Sequence, residues 1–403
     1  MNIDFAREEE KRPLESVVVN APFSVAASFL DPRDAATIED DWRDLAANAA
    51  EPNPFFAPAL LIPALAAFAD ETVRIALVRD ERARLIALAP FAPARGYSKL
   101  PVRYLATWMH DHCFFAAPLI RRGREKDALK ALFDLVEGEG VFLRLRHLDA
   151  DGVLLAEARV AARSNSRRAS ISARFERALL VGGFEADVCL KAAFKIKKRK
   201  ELRRLRARLE DLGALRLETL APDGDATLWA NEFLLIESAG WKGGAQTALA
   251  SSVEGRRFFV DAICRAHRDQ ILDFHRLTLN GRVVAAIVNF IEGGAGYSFK
   301  IAYDEDFAKY SPGVLLEIDM LRALEGRAGL SFMDSCAAAD HPMINSLWRE
   351  RRAIAAINVS GKRRRMRVLF RILMFLERAG ERFRDLTARK HRVKRVSEDA
   401  GDI

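Results

Sequence analysis

Gly296 to Trp348 reads GYSFKIAYDEDFAKYSPGVLLEIDMLRALEGRAGLSFMDSCAAADHPMINSLW, and its punctuation sets the fold. A strand over 296–303 runs into an acidic, aromatic loop, and Ser311-Pro312-Gly313 then opens a helix over 312–325. A second strand over 329–334 ends on Asp334, and a helix over 342–351 follows. A loop that enters a helix from a strand presents the unpaired first N–H groups of that helix, so it suits an anion. Pro312 fits the first turn because its missing N–H had no partner to lose. Gly313 lets a ligand approach the backbone closely. A pyrophosphate fits such a site.

Working outward, 214–220 reads as a strand and 228–240 and 253–267 as helices. Strands 271–279 and 282–291 are joined by Asn280-Gly281, a strong two-residue hairpin signal. A strand over 353–359 closes this half. The first half repeats the order: helices over 36–49 and 56–69, and strands over 72–79, 84–92 and 101–108. Helix 124–138, strand 140–147, helix 151–162 and strand 170–180 complete it. Between the halves, FKIKKRKELRRLRARLEDLG (194–213) places Leu202, Leu205, Leu209 and Leu212 on one helical stripe, with Lys and Arg elsewhere.

Composition bounds the function. The 403 residues suffice for two domains, and half are hydrophobic, enough for real cores. A net charge of +8 suits an acidic partner such as phosphates, anionic lipid or nucleic acid. Cys113, Cys189, Cys264 and Cys336 are far apart, which suggests neither a disulfide framework nor a zinc site. MNIDFAREEEKRPLE lacks a signal-peptide core, and no apolar run approaches the ~20 residues of a membrane span. The expectation is a cytoplasmic protein.

The order strand, two helices, three meandering strands, helix, strand, helix, strand resembles the GNAT N-acetyltransferase fold, used twice. The tandem plan resembles the FemAB-type and CelD-like acyltransferases. The motifs that carry it are KKRKELRRLRARLEDLG, ESAGWKG (237–243), FKIAYDEDFAKYSPGVLL (299–316) and the strand ending FMD (332–334). The resemblance implies an α/β (α+β) chain of two GNAT-like modules, each a mixed, mostly antiparallel sheet flanked by helices. It implies an N-terminal extension (1–24), a first module (25–185), a basic arm (190–213), a C-terminal GNAT domain (214–360) and a basic amphipathic tail (361–403). It also implies that strands 296–303 and 329–334 splay to admit acyl-CoA, with loop 306–313 holding the pyrophosphate through Lys309, Tyr310, Ser311 and Gly313. This loop has one glycine where the family's has two, which leaves open acetyl-CoA, a long-chain acyl-CoA, an acyl carrier protein or an aminoacyl-tRNA as donor.

Acyl transfer from a thioester needs a deprotonated amine, a polarised carbonyl and a stabilised leaving thiolate. Asp334, ending the apolar strand LSFMD, is the leading base candidate; the alternative is a turn or capping aspartate. His341 is a second base or a capping-region residue. Tyr303 protonates the thiolate or is a half-buried strand tyrosine. Lys300, a cation within an apolar strand, binds an anion or faces water. Glu237, Trp241 and Lys242 end a helix on the acceptor side, where Glu237 binds an amine or makes a surface ion pair. His110 and His112, in WMHDHC after a strand, occupy the corresponding cleft of the first module and are expected to reach into the acceptor site; a third metal ligand is not identifiable. There is no G-x-S-x-G hydrolase motif.

Lys362–Arg395 alternates an apolar face (Val368, Leu369, Ile372, Leu373, Phe375, Leu376) with arginines, which fits a helix in a membrane interface or one packed on the domain. The arm over 195–208 nearly lacks aromatics, which argues against single-stranded nucleic acid. The leading expectation is an N-acyltransferase with no permanently bound cofactor, peripheral on the inner face of a membrane. It takes acyl-CoA or an acyl carrier protein, and its amine acceptor is an amino-sugar or a long-chain amine (ceramide-type N-acylation). The alternatives are an aminoacyl-tRNA-dependent transferase and a non-catalytic scaffold of polysaccharide export.

Overall fold

The computed structural model describes residues 25–240 and 248–380. The first half runs β1 (Ala26–Leu30), α1 (Glu39–Ala47), α2 (Pro58–Phe68), β2 (Arg74–Arg79), β3 (Leu85–Tyr97), β4 (Leu100–Thr107) and β5 (Leu119–Ile120). Then come α3 (Glu125–Leu135), β6 (Phe142–Asp149), α4 (Val153–Ser164) and β7 (Ala169–Val181). Two helices, α5 (Ala186–Ala193) and α6 (Ile196–Glu210), lead onward. The second half runs β8 (Leu215–Thr219), α7 (Ala226–Ala239), α8 (Val253–Arg268), β9 (Leu272–Leu279), β10 (Arg282–Glu292) and β11 (Ala295–Tyr303). It closes with α9 (Pro312–Leu324), β12 (Phe332–Asp334), α10 (Pro342–Leu347) and β13 (Glu350–Ser360). Residues 364–380 are helical and are termed α11.

The hairpin chemistry acts as expected. Asn280 and Gly281 both take positive φ, and Arg282 pairs with Leu279 across them. In α6, Leu202, Leu205 and Leu209 are buried and most basic positions are exposed, with Arg206 turned onto Asp319. Leu212, expected on the same stripe, lies past the helix end and is exposed. Three elements, β1, β5 and α5, were not anticipated. The helix expected over 342–351 stops at Leu347, because Glu350, Arg351 and Arg352 pair with Leu179, Ala178 and Arg177 on β7. Sheet pairing there outweighs local helical propensity.

Among the described residues the strands form one sheet in the order β1-β2-β3-β4-β6-β13-β7-β12-β11-β10-β9-β8, with β5 beside β3. The order is symmetric about its centre, with two strands exchanged. β13, from the second half, lies against β6 of the first module, and β7, from the first half, lies against β12 of the second. β13 and β7 pair with each other along the junction, from Glu350↔Leu179 to Val359↔Ala169. Sheet boundaries therefore do not follow sequence boundaries: neither half completes its sheet without a strand from the other.

In the second module β11 and β12 form a short fork. β11 and β12 run parallel and pair only at Ala295↔Phe332, Gly296↔Met333 and Tyr297↔Asp334. β11 continues to Tyr303 while β12 stops at Asp334, so the strands part beyond this register. Gly296 permits the close end of the fork, since an added Cβ would fall 1.9 Å from Met333 Sδ.

Candidate active site

A bulge in β11 positions the first site residue. Val288 pairs with Lys300 and Asn289 with Ser298, so Phe299 is an extra residue in the ladder. An extra residue reverses the in–out alternation beyond it. Tyr297, Phe299 and Ala302 consequently share one core, whereas Ile301 and Tyr303 pack against the other. Lys300 points into a cavity of about 710 Å³ at the junction of the modules. Its Nζ lies 5.9 Å from the ring centroids of both Phe114 and Phe299, within cation–π reach.

The other wall of this cavity is the loop after β4, with His110 and His112. The structure thus brings together Lys300, His110 and His112. His110 stacks on Phe68 at 5.0 Å between centroids, His112 stacks on Phe258 at 5.8 Å, and the two imidazoles are 6.0 Å apart. The His112 backbone N–H donates to His110 Nδ1 at 3.4 Å, which assigns the proton of the neutral ring to Nε2. Burial, followed by the proximity of His112 and Lys300, pushes His110 down to about 3. His110 is therefore neutral at physiological pH, and suits a hydrogen-bond donor better than a general base. Among the described residues no cluster of three or more His, Cys, Asp and Glu could hold a metal ion.

Asp334 is not at the mouth of a cleft. Its side chain is wholly buried between two guanidinium groups: Arg177 donates to Oδ2 at 2.7 Å and Arg352 to the same oxygen at 2.8 Å. The Cys336 N–H donates to Oδ1 at 2.9 Å. Arg352 also donates to Asp149 at 2.9 Å, which balances two cations with two carboxylates. Arg177 donates in turn to the Phe114 carbonyl at 2.8 Å. Asp334 thus supports the loop that carries the histidines, and does so from inside the sheet. The capping alternative describes His341, whose Nδ1 accepts the Ile344 N–H at 3.4 Å at the start of α10.

Glu237 is buried rather than at the surface. It is 2% exposed, and its Oε2 accepts the N–H of Leu249, a residue of the cavity wall, at 2.9 Å. Trp241 and Lys242 lie outside the described residues.

The anion loop gathers at the far end of β11. Tyr303 lies beside Gly313, where an added Cβ would stand 3.5 Å from Tyr303 Cδ1, an ordinary contact. Lys309 Nζ lies 5.1 Å from the Tyr310 ring centroid. Ser311 takes the left-handed conformation (φ 54°, ψ 51°), and its carbonyl accepts from Val314 and Leu315 at 3.0 and 3.1 Å. Two N–H groups in the first turn of α9 are therefore satisfied internally.

Sequence reasoning missed Arg177 and Arg352. The available signal was an arginine inside each of two apolar strands, ARFERALLV and ERRAIAAINV. It also missed Phe68 and Ser252, which line the cavity from α2 and from the residue capping α8.

Residues 197–341, which contain β11, the fork and the anion loop, match the family model of the acetyltransferase (GNAT) domain. They are a GNAT acyltransferase domain. No curated protein sequence matches the chain. Among solved structures, the chain is similar to the C-terminal domain of a protein described as a lysylphosphatidylglycerol synthetase from Agrobacterium fabrum. Identity is 12% and the TM-score 0.52, over 85% of this chain and 96% of that one. It is similar to a conserved protein of unknown function from Bacteroides thetaiotaomicron, at 12% identity and TM-score 0.52, over 82% and 99%. It is similar to FemX at 10% identity and TM-score 0.50, over 79% and 95%. These likenesses concern the fold and extend over both GNAT-like modules. Among the described residues no helix is long and apolar enough to cross a membrane.

Proposed function

We propose that this chain transfers an acyl group from a thioester, acyl-CoA or acyl carrier protein, to an amine held in the junction cavity. The observation that carries the reading is Lys300, set by the bulge of the GNAT domain's forked strand into a cavity that both modules wall. The donor would enter between β11 and β12, with its phosphates at Lys309–Gly313. The amine attacks the thioester carbonyl, the oxyanion collapses, and the thiolate leaves with a proton. The Lys300 ammonium beside the cavity would stabilise developing negative charge. His110 Nε2–H would orient an acceptor oxygen. Tyr303, at the open end of β11, is the candidate donor to the thiolate. A hydroxylated amine, either an amino-sugar or a long-chain base, fits a cavity lined by Ser251, Ser252, Trp108 and Met109. The setting would be cytoplasmic, peripheral on the inner face of a membrane.

The likenesses to FemX and to the lysylphosphatidylglycerol synthetase domain favour a second reading, in which the transferred group is an aminoacyl group carried by tRNA. The basic surface of α6 would then meet phosphate. Native mass spectrometry with acetyl-CoA, palmitoyl-CoA, acyl carrier protein and bulk tRNA, offered separately, tests both. Retention of a CoA thioester, abolished by Lys309→Glu, supports the first reading. Retention of tRNA alone replaces it with the second. Retention of no donor leaves a non-catalytic scaffold.

A further inference from the structure

We infer that the cavity between α4, β7 and α11 binds the phosphate of an anionic phospholipid, and that the outer face of α11 lies in the boundary of the acyl chains. This deepens the peripheral-membrane part of the proposed function and is independent of the identity of the acyl donor.

The cavity has a volume of about 470 Å³ and is lined by six arginines: Arg159, Arg163, Arg167, Arg168, Arg371 and Arg378. Among the described residues no carboxylate lines it. Arg167 is neutralised from behind by Asp134 and Glu137, and Arg378 donates to Ser170 Oγ at 3.0 Å. Among the described residues, Arg159, Arg163, Arg168 and Arg371 form no ion pair. Four such guanidinium groups around one concavity repel one another until an anion enters. Their planar forks suit phosphate oxygens, which they can bind in pairs.

The same helix supplies the reason to choose a lipid over a soluble phosphate. One face of α11 is docked: Phe370, Leu373 and Met374 are buried with Tyr97, Tyr104 and Phe142. The Tyr97 hydroxyl donates to Glu377 at 2.6 Å, and Arg367 donates to the Ser166 carbonyl at 2.9 Å. These bonds fix the rotation of the helix. The opposite face carries Val368, Leu369, Ile372, Phe375 and Leu376, all exposed, with Phe375 at 70%. A helix with an internal apolar stripe needs no second one facing water. Phe375 belongs to the exposed stripe and also lines the arginine cavity, so apolar and phosphate-binding features meet at one residue. That adjacency matches a lipid, whose phosphate lies directly above its acyl chains.

Flotation of the full chain with vesicles of phosphatidylcholine, with or without phosphatidylglycerol, tests the proposal. Binding is expected only with phosphatidylglycerol, and a double reversal, Arg163→Glu with Arg168→Glu, should weaken it about tenfold or more. Ile372→Ser with Phe375→Ser should weaken it comparably while leaving the arginines in place. These positions are exposed, and melting curves check that the variants fold. As a direct readout, Phe375→Trp fluorescence should be quenched by brominated phosphatidylglycerol. Equal binding to both vesicle types, or absence of vesicle binding with inorganic phosphate or tRNA bound instead, would overturn the proposal. Donor retention by native mass spectrometry, measured on the same variants, should be unchanged; it separates failure of this site from failure of the transferase reading.

Discussion

Arg177, on a strand from the first half of the chain, and Asp334, on a strand from the second, form an ion pair at the centre of the sheet. Arg177 Nε stands 2.6 Å from Oδ1, off its N–H direction, while a terminal guanidinium nitrogen donates to Oδ2 at 2.7 Å. Both side chains are at most 2% exposed. The pair links the exchanged strand β7 to the GNAT fork, and through the Phe114 carbonyl to the histidine loop. A pair buried this deeply adds little net stability, but removing one partner strands the others.

Asp334→Ala is accordingly expected to lower the unfolding free energy by about 3–5 kcal/mol, because two guanidinium groups lose their shared carboxylate. Denaturant titration measures this. A variant that unfolds like the parent chain but no longer turns over would restore Asp334 as a catalytic base.

Lys300→Met keeps the length and apolar packing of the side chain but removes the ammonium. The rate of transfer should fall about 10²-fold, the scale of losing one electrostatic donor to a developing oxyanion, with little change in melting temperature. Unchanged turnover would remove Lys300 from the site.

Glu317, on α9, is buried, and its Oε2 has no hydrogen-bond partner among the described residues; desolvation raises its carboxyl to about 8 from an ordinary 4.5. The folded chain then keeps a proton that the unfolded chain releases between these values. Stability must fall as pH rises through that window, and the penalty is complete above pH about 8. Glu317→Gln should remove this slope, so that the variant gains on the parent chain progressively from pH 5 to 8 in the range set by the shift. Parallel pH–stability curves would refute the assignment.

Tyr97→Phe deletes the hydroxyl that donates to Glu377 and accepts from Asn358 Nδ2 at 2.6 Å. The expected cost is about 1–3 kcal/mol, since both partners are left in a partly buried setting. Hydrogen exchange should show the loosening over 364–380 first. Exchange that rises equally everywhere would mean that this contact does not anchor α11 in particular.

The local elements were legible because their causes are local. Asn280-Gly281 fixed a hairpin, the leucines of 202–209 fixed the buried stripe of α6, and Ser311-Pro312-Gly313 fixed the start of α9. The fork of β11 and β12 was implied by the GNAT resemblance that the order of these elements carries, not by any local signal. His110 and His112 were legible as a cleft loop because they directly follow a strand.

What only the tertiary structure decided rests on relations between distant residues. Strands 169–181 and 350–360 are both rich in small apolar residues, and nothing local says which module each will complete; pairing across the junction settles the exchange. Lys300 looked ambiguous because strict alternation cannot register the extra residue Phe299, which is visible only against Val288 and Asn289 on the neighbouring strand. Asp334 looked like a base at a strand end, and became a buried counter-ion once Arg177 and Arg352 arrived from other strands. Periodicity and turn chemistry are properties of a segment, so the sequence by itself determined the elements and their order. Charge pairing, register and cavities depend on which segments meet, and these were decided by the packed sheet.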